Sequence, residues 1–156
     1  MLSAGQDFLR SKQGVRNTYL RGDLNALDYS LLEKHSEHHA YVRDWIALRM
    51  SDVGKLLCPA EHPPQSYYQS FESKDGQAVA LLINTDRSAG SARLLFAVNP
   101  SANKDVFLPV IPEQFGKPVL VADSEKVSTQ GLQDDFARKT GSLCLPSTSS
   151  AMWTIT

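Results

Sequence analysis

Between positions 10 and 25 one short segment gathers Arg10, Lys12, Arg16, Asn17, Tyr19, Arg21, Asp23 and Asn25. Guanidinium forks, side-chain amides and a carboxylate pair well with sugar hydroxyls, and an aromatic face covers the apolar C–H surface of a pyranose. The same residues also fit a polar loop facing water. Residue type alone leaves both readings open.

Other chemistry is poorly supported. His35, His38 and His39 fall within little more than one helical turn, and histidines four apart can share a helix face and hold zinc. No glutamate stands where a zinc protease needs one, and no third ligand is near in sequence. One of these histidines is expected at a buried edge and the others in solvent, with no metal site. The fourth, His62, precedes Pro63 and Pro64 and fits no nucleophile pattern. There is no Gly-x-Ser-x-Gly elbow, no P-loop and no Gly-x-Gly-x-x-Gly, so no catalytic residue is assigned and no cofactor is expected. Cys58 and Cys144 follow no metal spacing and read as two small buried thiols. A disulfide would require their Cα atoms within about 7 Å.

Bulk properties narrow the classes. With 16 basic and 17 acidic residues and a net charge of −1, nothing attracts nucleic acid or an anionic membrane. No apolar run approaches the roughly 18 residues of a membrane span, and no charged segment followed by an apolar one follows Met1. A hydrophobic content of 42% supports a packed core. A length of 156 residues accommodates one full domain, or one small domain plus a fragment, and falls well short of the roughly 250 residues of a complete (β/α)8 barrel.

The elements that would position the polar segment change character along the chain. Residues 1–7 read as a strand end, and residues 8–28 as a long loop punctuated by Gly14 and Gly22. Residues 29–54 read as one helix. Asp28 or Ser30 can cap it, Glu33 can complete a capping box, and Gly54 can end it by adopting positive φ. Leu31, Leu32, His35, Val42, Trp45, Ile46, Arg49 and Val53 fall near a 3.6-residue period. Pro59, Pro63 and Pro64 mark a linker. Beyond it, short strands are expected at 67–73, 78–84, 92–99, 105–110, 119–122, 142–145 and 151–156. The first two flank an Asp75-Gly76 hairpin turn. This spacing suits an antiparallel sandwich.

The amino-terminal motifs carry a family resemblance. Gly5-Gln6-Asp7-Phe8-Leu9-Arg10-Ser11-Lys12 resembles the G-x-[DE]-[FL]-L-R-[ST]-K segment that closes the barrel of pullulanase-type α-1,6-glucosidases, in glycoside hydrolase family 13 of the α-amylase superfamily. Arg16-Asn17-Thr18-Tyr19 resembles their x-[DN]-S-Tyr element, with Thr18 in place of serine. Gly22-Asp23-Leu24-Asn25-Ala26-Leu27-Asp28-Tyr29 resembles G-D-x-x-N-x-[ILV]-[DN]-[WYF], with one residue fewer between Asp23 and Asn25 and Ala26 where some members carry arginine. Residues 42–49 look like the family's last barrel helix. Pro146 to Ser149 look like its entry into the final strand.

The resemblance implies a mainly β chain: an antiparallel β-sandwich at residues 66–156, preceded at residues 1–58 by the last strand, loop and helix of a (β/α)8 barrel. It implies a parent that hydrolyses α-1,6-glucosidic bonds in pullulan, limit dextrin, starch or glycogen with retention. The catalytic carboxylates of the family follow barrel strands four, five and seven, upstream of this chain. The 156-residue chain alone is therefore expected to be inactive. Arg16, Asn17, Tyr19, Asp23 and Asn25 are the expected substrate contacts. The implied partners are the α-glucan and the rest of the barrel, with neither nucleic acid nor membrane. The alternative is a stand-alone carbohydrate-binding or structural sandwich module without catalysis. Such modules present exposed aromatics. Here Trp45 and Trp153 are expected in the core, and strand alternation exposes only one of Tyr67 and Tyr68.

Overall fold

Short, largely apolar runs bounded by turns build the carboxy-terminal two-thirds. The computed structural model describes residues 2–59 and 61–156. It divides into two units, Met1–Ile46 and Ala47–Thr156, at a boundary inside a helix.

In the second unit, Tyr68–Glu72 (β1), Val79–Ile83 (β2), Arg93–Asn99 (β3), Ser149–Ile155 (β8) and Pro118–Asp123 (β5) form one antiparallel sheet in the order β1-β2-β3-β8-β5. Val106–Leu108 (β4), Ser142–Leu145 (β7) and Arg138–Lys139 (β6) form a second, in the order β4-β7-β6. Seven of the eight strands coincide with the expected runs, with ends shifted by one or two residues. β6 is too short to show a period. β5 carries a bulge between Leu120 and Ala122 against β8.

The core lies between the sheets. Leu82, Leu95, Ala97 and Trp153 from the larger sheet meet Val106, Leu108, Leu143 and Leu145 from the smaller, all essentially inaccessible to water. Burying each large side chain contributes about 1.5–3 kcal/mol. Polar groups inside are tied down. The buried Asn99 amide donates to the carbonyls of Lys104, Leu145 and Pro146 at 2.9–3.0 Å. The Asn84 amide donates to Gly90 and Ala92, holding the β2–β3 turn. The Trp153 indole donates to Asp134 at 2.6 Å, and Arg138 grips the same carboxylate while lying over the indole ring. Burial alone would raise the Asp134 carboxyl, but hydrogen bonds from Arg138 and Trp153 outweigh it and hold the group below its ordinary value.

The β1–β2 turn uses the expected Asp-Gly pair. Gly76 has φ 67°, and the Ser73 hydroxyl accepts from the backbone N–H groups of Gln77 and Ala78.

Three sequence expectations are revised. The single helix at 29–54 is three: Ser30–Lys34 (α2), Ser36–Met50 (α3) and Asp52–Lys55 (α4), after a one-turn helix, Gly22–Asn25 (α1). His35 breaks the first pair with φ −120°. Ser51 breaks the second by turning extended and capping α4 through its hydroxyl. The apolar period therefore does not run through: Leu48, which it omits, is the buried side chain of α3, while Ile46 is 48% exposed. Gly54 does not supply positive φ. It sits inside α4, and a Cβ there would lie 2.1 Å from the Leu48 carbonyl oxygen, so close approach requires the glycine.

The other differences are local. Among the described residues no strand precedes Tyr68. Gln6–Phe8 form a 3-10 turn after Gly5 at φ 81°, in place of the strand end expected there. Cys58 is exposed, and Cys144 is half-buried on the outward side of β7. Neither is the buried thiol expected, and both are free. Trp153 is in the core, but Trp45 is only half-buried and packs edge-on against Tyr41.

Candidate functional site

The polar segment lies in the first unit, where a hydrogen-bonded loop replaces an apolar core. Thr18, 6% exposed, is its hub. The Thr18 hydroxyl accepts from Lys12 Nζ at 2.9 Å, and its carbonyl accepts from Asn25 Nδ2 at 2.7 Å and from the Arg21 backbone at 2.9 Å. Arg10 reaches across to the carbonyls of Leu24 and Asn25 and satisfies the end of α1. Asp7 meets His39 Nδ1 at 2.8 Å, joining the 3-10 turn to α3. Phe8 is buried and packs on Tyr29 at 5.8 Å between ring centres.

This scaffold sorts the candidate residues. Tyr19 is 82% exposed, displayed beside Leu20, which holds φ 63°. Asp23 is exposed and takes two hydrogen bonds from Arg21, at 2.9 and 2.7 Å. The Arg21 guanidinium holds the Asp23 carboxyl below its ordinary value, so it is ionised and accepts hydrogen bonds only. Arg16 is exposed and has no hydrogen-bond partner among the described residues. The Asn17 carbonyl oxygen accepts from the Tyr19 backbone in a local turn, leaving its NH₂ free. Asn25 is the exception: its NH₂ holds Thr18, leaving only its oxygen for a ligand. The loop thus presents an aromatic face, a free guanidinium, an amide donor and a fixed carboxylate.

Sequence reasoning passed over Thr18 as an organiser. A hydroxyl midway between a lysine and an asparagine, each six or seven residues away, was the available signal. The histidines do not converge: among the described residues no group of three His, Cys, Asp or Glu side chains could hold a metal. No helix there is long and apolar enough to cross a membrane.

No family model matches the chain. No curated protein matches it either. Among solved structures it is similar to the Group B Streptococcus pullulanase SAP, with a TM-score of 0.59 and 13% sequence identity. The match covers 85% of this chain and 19% of that one, so the chain spans about a fifth of that protein's length. At this identity what is shared is the fold.

Proposed function

We propose that this chain is the carboxy-terminal part of a pullulanase-type α-1,6-glucosidase. In this reading residues 1–58 end the catalytic barrel and residues 66–156 form the sandwich that follows it. The parent cleaves α-1,6 bonds of pullulan, limit dextrin, starch or glycogen with retention. One carboxylate attacks the anomeric carbon and a second serves as acid, then base, about 5–5.5 Å away. Both are supplied upstream, and so is most of the barrel, the chain's proposed partner.

This chain contributes substrate contacts. Tyr19 covers a sugar face, Arg16 and Asn17 donate to hydroxyls, and Asp23, steadied by Arg21, accepts from them. Asn25 chiefly holds the loop and offers its oxygen. The observation that carries the reading is the agreement between the motifs of residues 4–29 and the fold shared with a pullulanase over 85% of the chain. Loops at the carboxyl ends of barrel strands build the active sites of such barrels, which suits this placement.

In the full-length parent, Asp23→Ala should lower kcat/KM for pullulan roughly tenfold, as expected for one charge-assisted hydrogen bond. An unchanged kcat/KM would remove Asp23 from the site. The purified 156-residue chain should release no reducing sugar from pullulan.

The second reading, a free-standing sandwich module, is favoured by one observation. The second unit, Ala47–Thr156, owns a closed core of its own.

A further inference from the structure

A cleft of about 470 Å³ opens in the second unit between the β1–β2 turn and β4. It is remote in sequence from the loop of residues 10–25, and nothing above assigns it. β1 and β4 are the edge strands of their sheets, so the cleft lies along an open side of the sandwich.

Its lining is chemically specific. Phe107 points away from the core, is 48% exposed and forms an apolar wall with Pro109. The charges around it cancel: Lys74 and Lys104 stand against Asp75 and Asp105. Lys104 and Asp75 are ion-paired, and Asp75 also accepts from the Ser73 hydroxyl. One Asp105 oxygen accepts from the Ser147 backbone, leaving the other open. The Ser142 hydroxyl has no partner among the described residues.

An anion or cation entering this cleft meets as much repulsion as attraction, so net charge gives a ligand no advantage. A neutral molecule with many hydroxyls and an apolar face fits better. Its C–H face would lie on the Phe107 ring, and its hydroxyls would meet Lys104, Asp105 and Ser142. The Lys104–Asp75 pair fixes the Lys104 ammonium before binding, which lowers its ordering cost.

We propose that this cleft is a saccharide-binding site, separate from the loop and taking a short stretch of neutral α-glucan. The identity of the sugar rests on the debranching reading; the preference for a neutral polyol rests on the cleft alone. Such a site would hold a branched polymer to the sandwich.

The test is affinity electrophoresis of the 156-residue chain in native gels containing glycogen, with Phe107→Ala, Ser142→Ala and, as a control at an exposed residue outside the cleft, Met50→Ala variants. The unmodified chain and Met50→Ala should be retarded alike, Phe107→Ala roughly fivefold more weakly, and Ser142→Ala in between. Phe107 and Ser142 lie outside the core, and an unchanged Tm establishes that each variant is folded. Equal retardation of Phe107→Ala and the unmodified chain would overturn the proposal. So would an equal loss of retardation in Met50→Ala, or no retardation of the unmodified chain. The debranching reading is judged separately, by the kcat/KM of Asp23→Ala in the full-length enzyme.

Discussion

Each of the two units is stabilised internally by a different kind of force. The sandwich encloses Trp153, Leu95, Leu143 and their neighbours at no measurable exposure, with Asn84, Asn99 and Asp134 fully bonded around them. The first unit buries Phe8 and little else that is large, and its loop is set by polar contacts to Thr18 and from Arg10. Apolar burial is tolerant of detail and strong in sum, whereas a polar loop depends on each contact. A loop fixed by hydrogen bonds can leave Tyr19, Arg16 and Asp23 facing outward, where a ligand can reach them. A sandwich fixed by burial turns its large side chains inward.

That contrast can be broken by mutation. The largest effect should come from Trp153→Ala, which empties the centre of the core and strips Asp134 of a donor. About 3–5 kcal/mol should be lost in urea unfolding. Asn99→Ala should cost about 1–3 kcal/mol, since three backbone carbonyls lose their donor inside the sandwich.

Acid should act on the sandwich through Asp134 and Asp75. Lys104 first, then Ser73, lower the Asp75 carboxyl to about 2. Both carboxyls lie below their unfolded values, so the native state takes up these protons later than the unfolded chain does. Their contribution is complete above the ordinary carboxylate range near about 4 and is lost as pH falls below it, for Asp75 toward about 2. Tm should therefore fall as the pH drops below about 4. The fall should be shallower in Lys104→Met, which removes the main cause at Asp75.

Thr18→Val should cost the whole chain only about 0.5–1.5 kcal/mol, yet hydrogen exchange should speed up across residues 12–25 and leave the strands unchanged. Equal acceleration in β3 and β8 would contradict the separation of the two units. Smallest of all, Tyr19→Ala should change stability by less than about 0.5 kcal/mol, because the ring is 82% exposed.

The strands were legible because each is a short apolar run between local turns. Asp75-Gly76 announces the first hairpin, and the unbroken apolar run Leu94–Val98 places β3. β6 was not legible, because two residues carry no period. The helices misled. Ser51 reads as one more helical residue until its hydroxyl is seen capping α4, and Gly54 reads as a stop when it is a point of close approach. In the site, residue types suggested Tyr19, Arg16 and Asp23 as contacts; all three are exposed, as are most residues of the loop. Thr18 was missed because its role needs Lys12 and Asn25 to converge in space.

The proposal that this chain is the tail of a debranching enzyme is tested most directly by the intact mass of the native protein. An antibody against residues 66–156 should detect, in the source cells, a protein several times larger than 17.2 kDa. A stable native product near 17.2 kDa would contradict the account and leave the sandwich a free-standing module.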